Sequence, residues 1–235
     1  MRGRPGYLRL CLAVFRQMTR WSTDRWVFPW ILLGAPLAAW VLPGGTRIPF
    51  LPFAISAVTW CFPAAFIAGW PGSGDRKALE VIMYGTGAGK YSLTVPEILL
   101  PLLAGVVPGC LLALVWSSGG RGVSWQLWTV IPFSSLTAVS ATVLLGRFPG
   151  GTGHLVNLLG FMAQASTAPW AGNGLFQLLV PQGYTLWTIR WMTGSGAAFH
   201  GDIYAFFAVL SGIGLALLAF RTLGNPGKAR VNPAG

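Results

Sequence analysis

The residues best able to do chemistry lie in one polar stretch, residues 71–97, which interrupts an otherwise apolar chain. Within it, residues 85–90 read Gly-Thr-Gly-Ala-Gly-Lys and offer backbone amides and an ammonium group, which are the groups that bind phosphate. The spacing of a phosphate loop is absent, because Tyr84 stands where the first glycine is needed and Tyr91 where Ser or Thr is needed. We therefore expect no nucleotide site on this chain.

The composition predicts an integral membrane protein. Hydrophobic residues make up 54% of the 235 residues and charged residues only 9%, whereas soluble domains carry roughly 25% charged residues. The apolar runs are nearly continuous over about 17 to 25 residues, which favours helices over the alternating strands of a membrane barrel. The net charge of +11 is then explained by basic residues at one set of helix ends, and we expect no nucleic-acid partner.

Six apolar runs predict six transmembrane helices, so that residues 1–235 form a single all-α transmembrane domain. Residues 5–22 precede them with arginines on one helical face and aromatic and aliphatic residues on the other, which predicts an interfacial amphipathic helix. The alternative for this segment is a basic tail that only fixes topology. The predicted spans are residues 26–42, 50–70, 98–116, 125–145, 154–169 and 203–220.

The positions of the basic residues predict the orientation. Thirteen of the sixteen Lys and Arg residues fall on one side of this topology, and only Arg47, Arg121 and Arg190 fall on the other. By the positive-inside rule, both termini and residues 71–97 are cytoplasmic in a multi-pass protein of the cell membrane.

Residues 170–199 are predicted on the outer side but are too apolar for a solvated loop. The run is broken at Pro181, Gln182 and Gly183 after about half the length of a span. We expect two short helices that hinge there and partly re-enter the bilayer, with a complete seventh span as the alternative.

The remaining reactive side chains do not assemble into a catalytic or metal site in this topology. His154 and His200 lie on opposite sides of the membrane, and the three cysteines show no ligand spacing. No carboxylate lies at the centre of a span, which argues against an ion-coupled transporter. We expect no enzyme activity on this chain.

A protein of this kind takes its energy from a partner, and its layout resembles that of type 2 ABC exporter permeases. The shared features are an interfacial N-terminal helix, six spans, a long cytoplasmic segment between spans two and three, and an outer re-entrant segment between spans five and six. In that family the cytoplasmic segment has an acidic residue, a helix start, a Leu-Leu pair and a turn into span three. The matching residues here are Asp75, Ala78, Leu79, Glu80, Ile82, Met83, Gly85, Thr86, Lys90 and residues 95–99. Lys77-Ala78 replaces the family's Gly-Thr, and a glycine-rich turn replaces its proline.

The resemblance implies a coupling helix that docks into a cytoplasmic ATPase subunit, which binds ATP and Mg²⁺, while this chain carries no cofactor. Six spans are half of the usual twelve, so a second permease subunit is implied, as a homodimer or heterodimer. The expected docking residues are Arg76, Leu79, Glu80, Ile82, Met83 and Tyr84. The alternative is that Glu80 is solvated and Leu79 and Met83 pack beneath the bilayer surface.

The implied function is export of an amphipathic or lipid-like substrate by alternating access. Candidates for the substrate path are Trp60, Phe62, Phe161, Met162 and Gln164, although such aromatic residues also serve as packing or lipid-facing residues. A second hypothesis is a non-transporting assembly or immunity protein that binds a peptide or lipid through its outer segment. A third is a lipid-modifying enzyme that acts through His200 and Asp202.

Overall fold

The computed structural model describes residues 34–42, 44–68, 94–120, 122–145 and 173–224, and in these residues it is helical with no strand. The helices are α1 (Ala35–Val41), α2 (Gly44–Ala68), α3 (Thr94–Ser118), α4 (Trp125–Leu145), α5 (Gly174–Leu179), α6 (Tyr184–Met192) and α7 (Gly201–Gly224), with a 3-10 turn at Pro181–Gly183 between α5 and α6. The predicted interfacial helix, the predicted fifth span, residues 71–93 of the 71–97 segment and residues 26–33 of the first span lie outside the described residues.

Three of these helices are long and apolar enough to cross a membrane. They are the parts Pro101–Ser118 of α3, Trp125–Leu145 of α4 and Gly201–Arg221 of α7. The apolar part of α2, Phe50–Ala64, is shorter. The chain is therefore a helical membrane protein, and the full count of six spans stays a prediction.

Two helices begin earlier than the sequence predicts. Helix α2 starts at Gly44 and takes in a stretch predicted as a turn. Pro49 removes only the bond to the Gly45 carbonyl, close to the helix start, where water can replace it. Helix α3 starts at Thr94, because Pro96 stands in the first turn, where its missing amide would have no helical acceptor.

Close contacts at two glycines show that α2 and α3 are antiparallel. A Cβ added to Gly109 of α3 would lie 3.0 Å from Thr59 Cγ2 of α2. Four residues earlier on α3, a Cβ on Gly105 would lie 2.5 Å from Pro63 Cγ. Because the contact on α2 moves forward as that on α3 moves back, the two helices run in opposite directions.

Helix α4 runs parallel to α2, and α7 runs parallel to α4. On α4, Gly109 lies against Ile131 and Gly105 lies against Ser135, so α3 and α4 are also antiparallel. At the starts of α4 and α7, Gln126 Nε2 donates a 2.7 Å hydrogen bond to Asp202 Oδ1. The starts of α2, α4 and α7 and the end of α3 thus lie at one end of the bundle, which we call the Trp125 end. The opposite end is the Leu145 end.

Two apolar clusters hold the helices together. The first lies among α1, α2, α3 and α4 and includes Ile189 of α6, while the second joins α4, α6 and α7 around Trp187 and Tyr204. Side chains on the outside of the bundle are apolar as well, as expected where lipid is the solvent. On α7 the exposed ones are Ile203, Phe206, Leu210, Ile213, Leu217 and Leu218.

Candidate functional site

Most of the residues predicted to dock an ATPase or line a substrate path lie outside the described part of the chain. This holds for the docking residues Arg76, Leu79, Glu80, Ile82, Met83 and Tyr84, and for the path residues Phe161, Met162 and Gln164. Their roles stay predictions.

The two described path residues, Trp60 and Phe62, face different neighbours. Trp60 is only 2% exposed and packs with Ala138 of α4. Phe62 is half-buried and packs against the first apolar cluster. Trp60 is therefore an interior residue at a contact between α2 and α4.

Helix α4 carries a set of buried hydroxyl groups that the sequence analysis did not single out. Its signal in the sequence is five Ser and Thr residues between positions 134 and 142 of one span. Two are satisfied within the described residues, because Thr137 donates 2.8 Å to the Phe133 carbonyl and Thr142 donates 2.7 Å to the Ala138 carbonyl. The side-chain polar atoms that are buried without a hydrogen-bond partner in the described part of the chain are Trp60 Nε1, Ser124 Oγ, Ser134 Oγ, Ser135 Oγ, Ser140 Oγ, Gln182 Oε1 and Thr188 Oγ1.

Residues 173–199 form a second polar region, which joins α5 and α6 to the long helices at the Trp125 end. Asn173 caps α5, with its Oδ1 accepting from the amides of Leu175 at 3.0 Å and Phe176 at 3.4 Å. Because such a cap satisfies amides that have no partner within the helix, it fixes where α5 begins.

One turn into α5, Gln177 is fully buried and tied to α7. Its Oε1 accepts a short hydrogen bond from the Tyr204 hydroxyl and a 3.2 Å bond from the Ala198 amide. The Tyr204 oxygen in turn accepts from the Phe199 amide at 3.2 Å. This network joins α5, the connection to α7 and α7 itself.

Beyond the 3-10 turn, the chain contacts α2 at the start of α6. The hydroxyls of Thr185 and Thr59 share a 3.2 Å hydrogen bond. Thr59 lies beside Gly109 of α3. Gly109 stands nine residues before the end of α3, so this contact is about 14 Å below that end. The start of α6 therefore reaches below the ends of the long helices.

Tyr184 and Arg190 stabilise α6. The Tyr184 hydroxyl donates a 2.6 Å hydrogen bond to the Leu178 carbonyl, which ties the start of α6 to α5. The Arg190 guanidinium lies 4.8 Å from the ring centroid of Trp187, a cation–π distance.

His200 and Asp202 form an exposed pair at the Trp125 end. His200 Nδ1 lies 2.9 Å from Asp202 Oδ2, and the side chains are 56% and 54% exposed. The centroid of the Trp191 ring lies 4.3 Å from that of the His200 ring. Gln126 Nε2 donates a hydrogen bond to the other carboxylate oxygen of Asp202, Oδ1. The His200–Asp202 pair therefore connects the end of α6 to the starts of α4 and α7.

In the part of the chain that the structure describes, no three His, Cys, Asp or Glu side chains are placed to share a metal ion. An open pocket of about 330 Å³ lies at the Trp125 end and is lined by Trp116, Gly122, Met192 and Thr193. The long helices carry their acidic residues, Glu97 and Asp202, in first turns and none near the middle.

In comparisons with protein families, curated proteins and solved structures, nothing matches this chain.

Proposed function

We propose that this protein is the membrane-spanning permease subunit of an ATP-driven exporter of the type 2 ABC class. The observation that supports this most is the placement of two connections at opposite ends of the bundle. Residues 69–93 join Ala68 to Thr94, both at the Leu145 end, while residues 173–199 pack at the Trp125 end. An exporter needs such an arrangement, with a docking segment on the ATP side and a closed outer face on the other.

The direction of α4 and α7 also supports the predicted six-span topology. Helix α4 ends at the Leu145 end, whereas Asn173 and the start of α7 lie at the Trp125 end. Because α4 and α7 are parallel, the chain between Leu145 and Asn173 has to pass from one end to the other. The predicted fifth span, residues 154–169, supplies that passage in our proposal.

The positions of the basic residues along the chain support this proposal. Arg47, Arg121 and Arg190 belong to the Trp125 end, and the chain's other thirteen basic residues belong to segments assigned to the Leu145 end. We therefore propose that the Leu145 end faces the cytoplasm. Residues 76–84 there contact the ATPase subunit, which hydrolyses ATP with Mg²⁺, and a second permease subunit completes the transporter.

The proposal is tested by co-purifying the full chain with a cytoplasmic ATPase encoded beside it. Glu80→Arg and Met83→Asp place charge in the proposed docking helix, and we expect each to lower the stimulated ATPase rate roughly tenfold. Ser195→Asp, at an exposed position of the Trp125 end outside the pocket, is the matched control and should leave the rate unchanged. The proposal would be overturned if the ATPase does not bind the chain, or if neither substitution changes the stimulated ATPase rate.

A second candidate is a non-transporting assembly or immunity protein that binds a peptide or lipid. The open pocket beside Trp116 and Met192 favours it, because it lies at the Trp125 end, beside the outer segment. On this hypothesis, function survives replacement of residues 71–92 by a flexible linker and is lost when the pocket is filled by Gly122→Trp. The exporter proposal expects the linker replacement to abolish function.

A further inference from the structure

Three hydrogen-bonding groups on α2 and α4 are buried in the bundle without partners in the described residues: Trp60 Nε1, Ser134 Oγ and Ser135 Oγ. Trp60 packs against Ala138, which stands one helical turn after Ser134. We call these three residues the polar seam. They belong to α2 and α4, and Ser135 also abuts Gly105 of α3.

The two serines of the seam lie near the middle of α4, and Trp60 lies nearer the Leu145 end, at the level of Ala138. Ser134 and Ser135 stand nine and ten residues after Trp125, so they are about 14 to 15 Å along a helix of about 32 Å. The Trp60 residue is 2% exposed, Ser134 2% and Ser135 0%. Tryptophan in membrane proteins favours the headgroup region, so a buried indole here needs an explanation.

Burying these groups unpaired is unfavourable, because their hydrogen bonds to water are lost without replacement. Threonines on the same two helices are satisfied by their own backbone. Thr59 bonds the Ile55 carbonyl at 2.9 Å, and Thr137 bonds the Phe133 carbonyl at 2.8 Å. The seam differs from these threonines in offering an indole donor and two hydroxyls that nothing in the described chain uses, and Ser140 Oγ of α4 is likewise unpaired.

The charges around the seam restrict what it can bind. Helix α4 contains no Asp, Glu, Lys or Arg, and α2 contains only Arg47, in its first turns. A charged group in the middle of these helices would stay unpaired in a low-dielectric environment. Indole and hydroxyl groups suit hydroxyl, ether and ester oxygens.

We propose that the polar seam binds the uncharged, oxygen-rich head group of an amphipathic molecule, with Trp60 Nε1 donating to a ligand oxygen and the two serines donating to or accepting from its hydroxyls. The apolar part of the ligand lies among the aliphatic side chains of α2 to α4. As the cargo site of an exporter, the seam rests on the proposed function. As a binding site, it belongs to this chain alone and requires no ATPase.

The test uses the full chain in phosphatidylcholine nanodiscs with monooleoylglycerol, oleate or oleylamine, which share a chain and differ in head-group charge. We expect monooleoylglycerol to raise the thermal unfolding midpoint by about 5 °C and the charged amphiphiles to raise it less. The double variant Ser134→Ala/Ser135→Ala should lose this shift. Thr137→Val, whose hydroxyl already has partners, should keep it.

A second measurement needs only wild type and Trp60→Phe. The difference between their emission spectra isolates Trp60, and monooleoylglycerol should shift that difference to longer wavelength. Equal midpoint shifts with all three amphiphiles, a shift retained in the double serine variant, or no response to monooleoylglycerol would each overturn the seam. If the seam binds monooleoylglycerol but the chain recruits no ATPase, the proposed function is overturned and the seam is not.

Discussion

At the scale of single residues, Gln177 and Tyr204 join α5 to the long helix α7. Both are fully buried, and the Tyr204 hydroxyl is donor to Gln177 and acceptor from the Phe199 amide. Because each of these groups satisfies another, removing one leaves a buried polar atom without its partner. The Tyr204 hydroxyl therefore contributes to the stability of this attachment through both of its hydrogen bonds.

Tyr204→Phe should destabilise the protein by about 1–3 kcal/mol, because it leaves the Phe199 amide unpaired and removes one donor to Gln177. The measurement is chemical unfolding of the purified chain in mixed micelles, followed by circular dichroism. Phe206→Leu, on the exposed face of the same helix, is the control and should change stability by less than about 0.5 kcal/mol. Equal stability of wild type and Tyr204→Phe would contradict the network.

The hydrogen bond between Thr59 and Thr185 is the contact that joins the start of α6 to α2. A double-mutant cycle with Thr59→Val and Thr185→Val isolates it, since valine keeps the shape of each side chain. We expect a coupling energy of about 0.6 kcal/mol, the average for such bonds in membrane proteins. Additive effects of the two substitutions would show that the two hydroxyls do not interact.

The sequence supported only part of this residue-level description. Trp60 was identified as a candidate, because an aromatic residue in mid-span is conspicuous, but its partners on α4 were not. A serine inside an apolar run can bond its own helix, face a neighbour or bind a ligand, and periodicity does not distinguish these cases. The role proposed for Ser134 and Ser135 depends on the position of α2 beside α4, which the sequence does not predict.

At the scale of helices, small residues set how closely α4 and α7 approach. A Cβ on Gly212 of α7 would lie 2.9 Å from the Phe133 carbonyl oxygen of α4. The hydroxyls of Thr137 and Ser211 share a 3.1 Å bond at the same interface. Small residues at helix contacts and hydroxyl bonds across them are how membrane helices associate without a hydrophobic driving force.

Two glycines on α7 give opposite predictions for the same substitution. Gly212→Ala should destabilise the protein by about 1–2 kcal/mol, because the added methyl meets backbone of α4. Gly214→Ala meets nothing within 4 Å and should be neutral or stabilise by up to about 1 kcal/mol through helix propensity. Unfolding midpoints of both variants test this, and a Gly212→Ala protein as stable as wild type would contradict the α4–α7 packing.

The sequence predicted the existence of α2, α3, α4 and α7, and the bounds of α4, because long apolar runs between polar turns are a strong signal. Helices α2 and α3 begin at Gly44 and Thr94, ahead of the predicted spans that start at residues 50 and 98, because the prediction followed the apolar runs and the helices extend beyond them. It could not say which helices pack together, because they are apolar nearly all round and show no single buried face. Contacts of Gly105, Gly109 and Gly212 supplied that information.

At the scale of the whole molecule, the bundle has two different ends. The Trp125 end carries short connections and the hydrogen-bonded residues 173–199, and the Leu145 end holds the end of α2, the start of α3 and the end of α7. The sequence predicted the two sides from the count of basic residues alone. The directions of the described helices place Ala68 and Thr94 together at the Leu145 end, and the assignment of that end to the ATPase side stays a proposal.

Labelling of single cysteines in intact cells tests that assignment most directly. In a chain with Cys11, Cys61 and Cys110 replaced by alanine, Ser195→Cys reports on the Trp125 end and Ser73→Cys on the connection 69–93. We expect a membrane-impermeant maleimide to label Ser195→Cys in intact cells and Ser73→Cys only after permeabilisation. Labelling of both positions from one side, or the reverse pattern, would contradict that assignment.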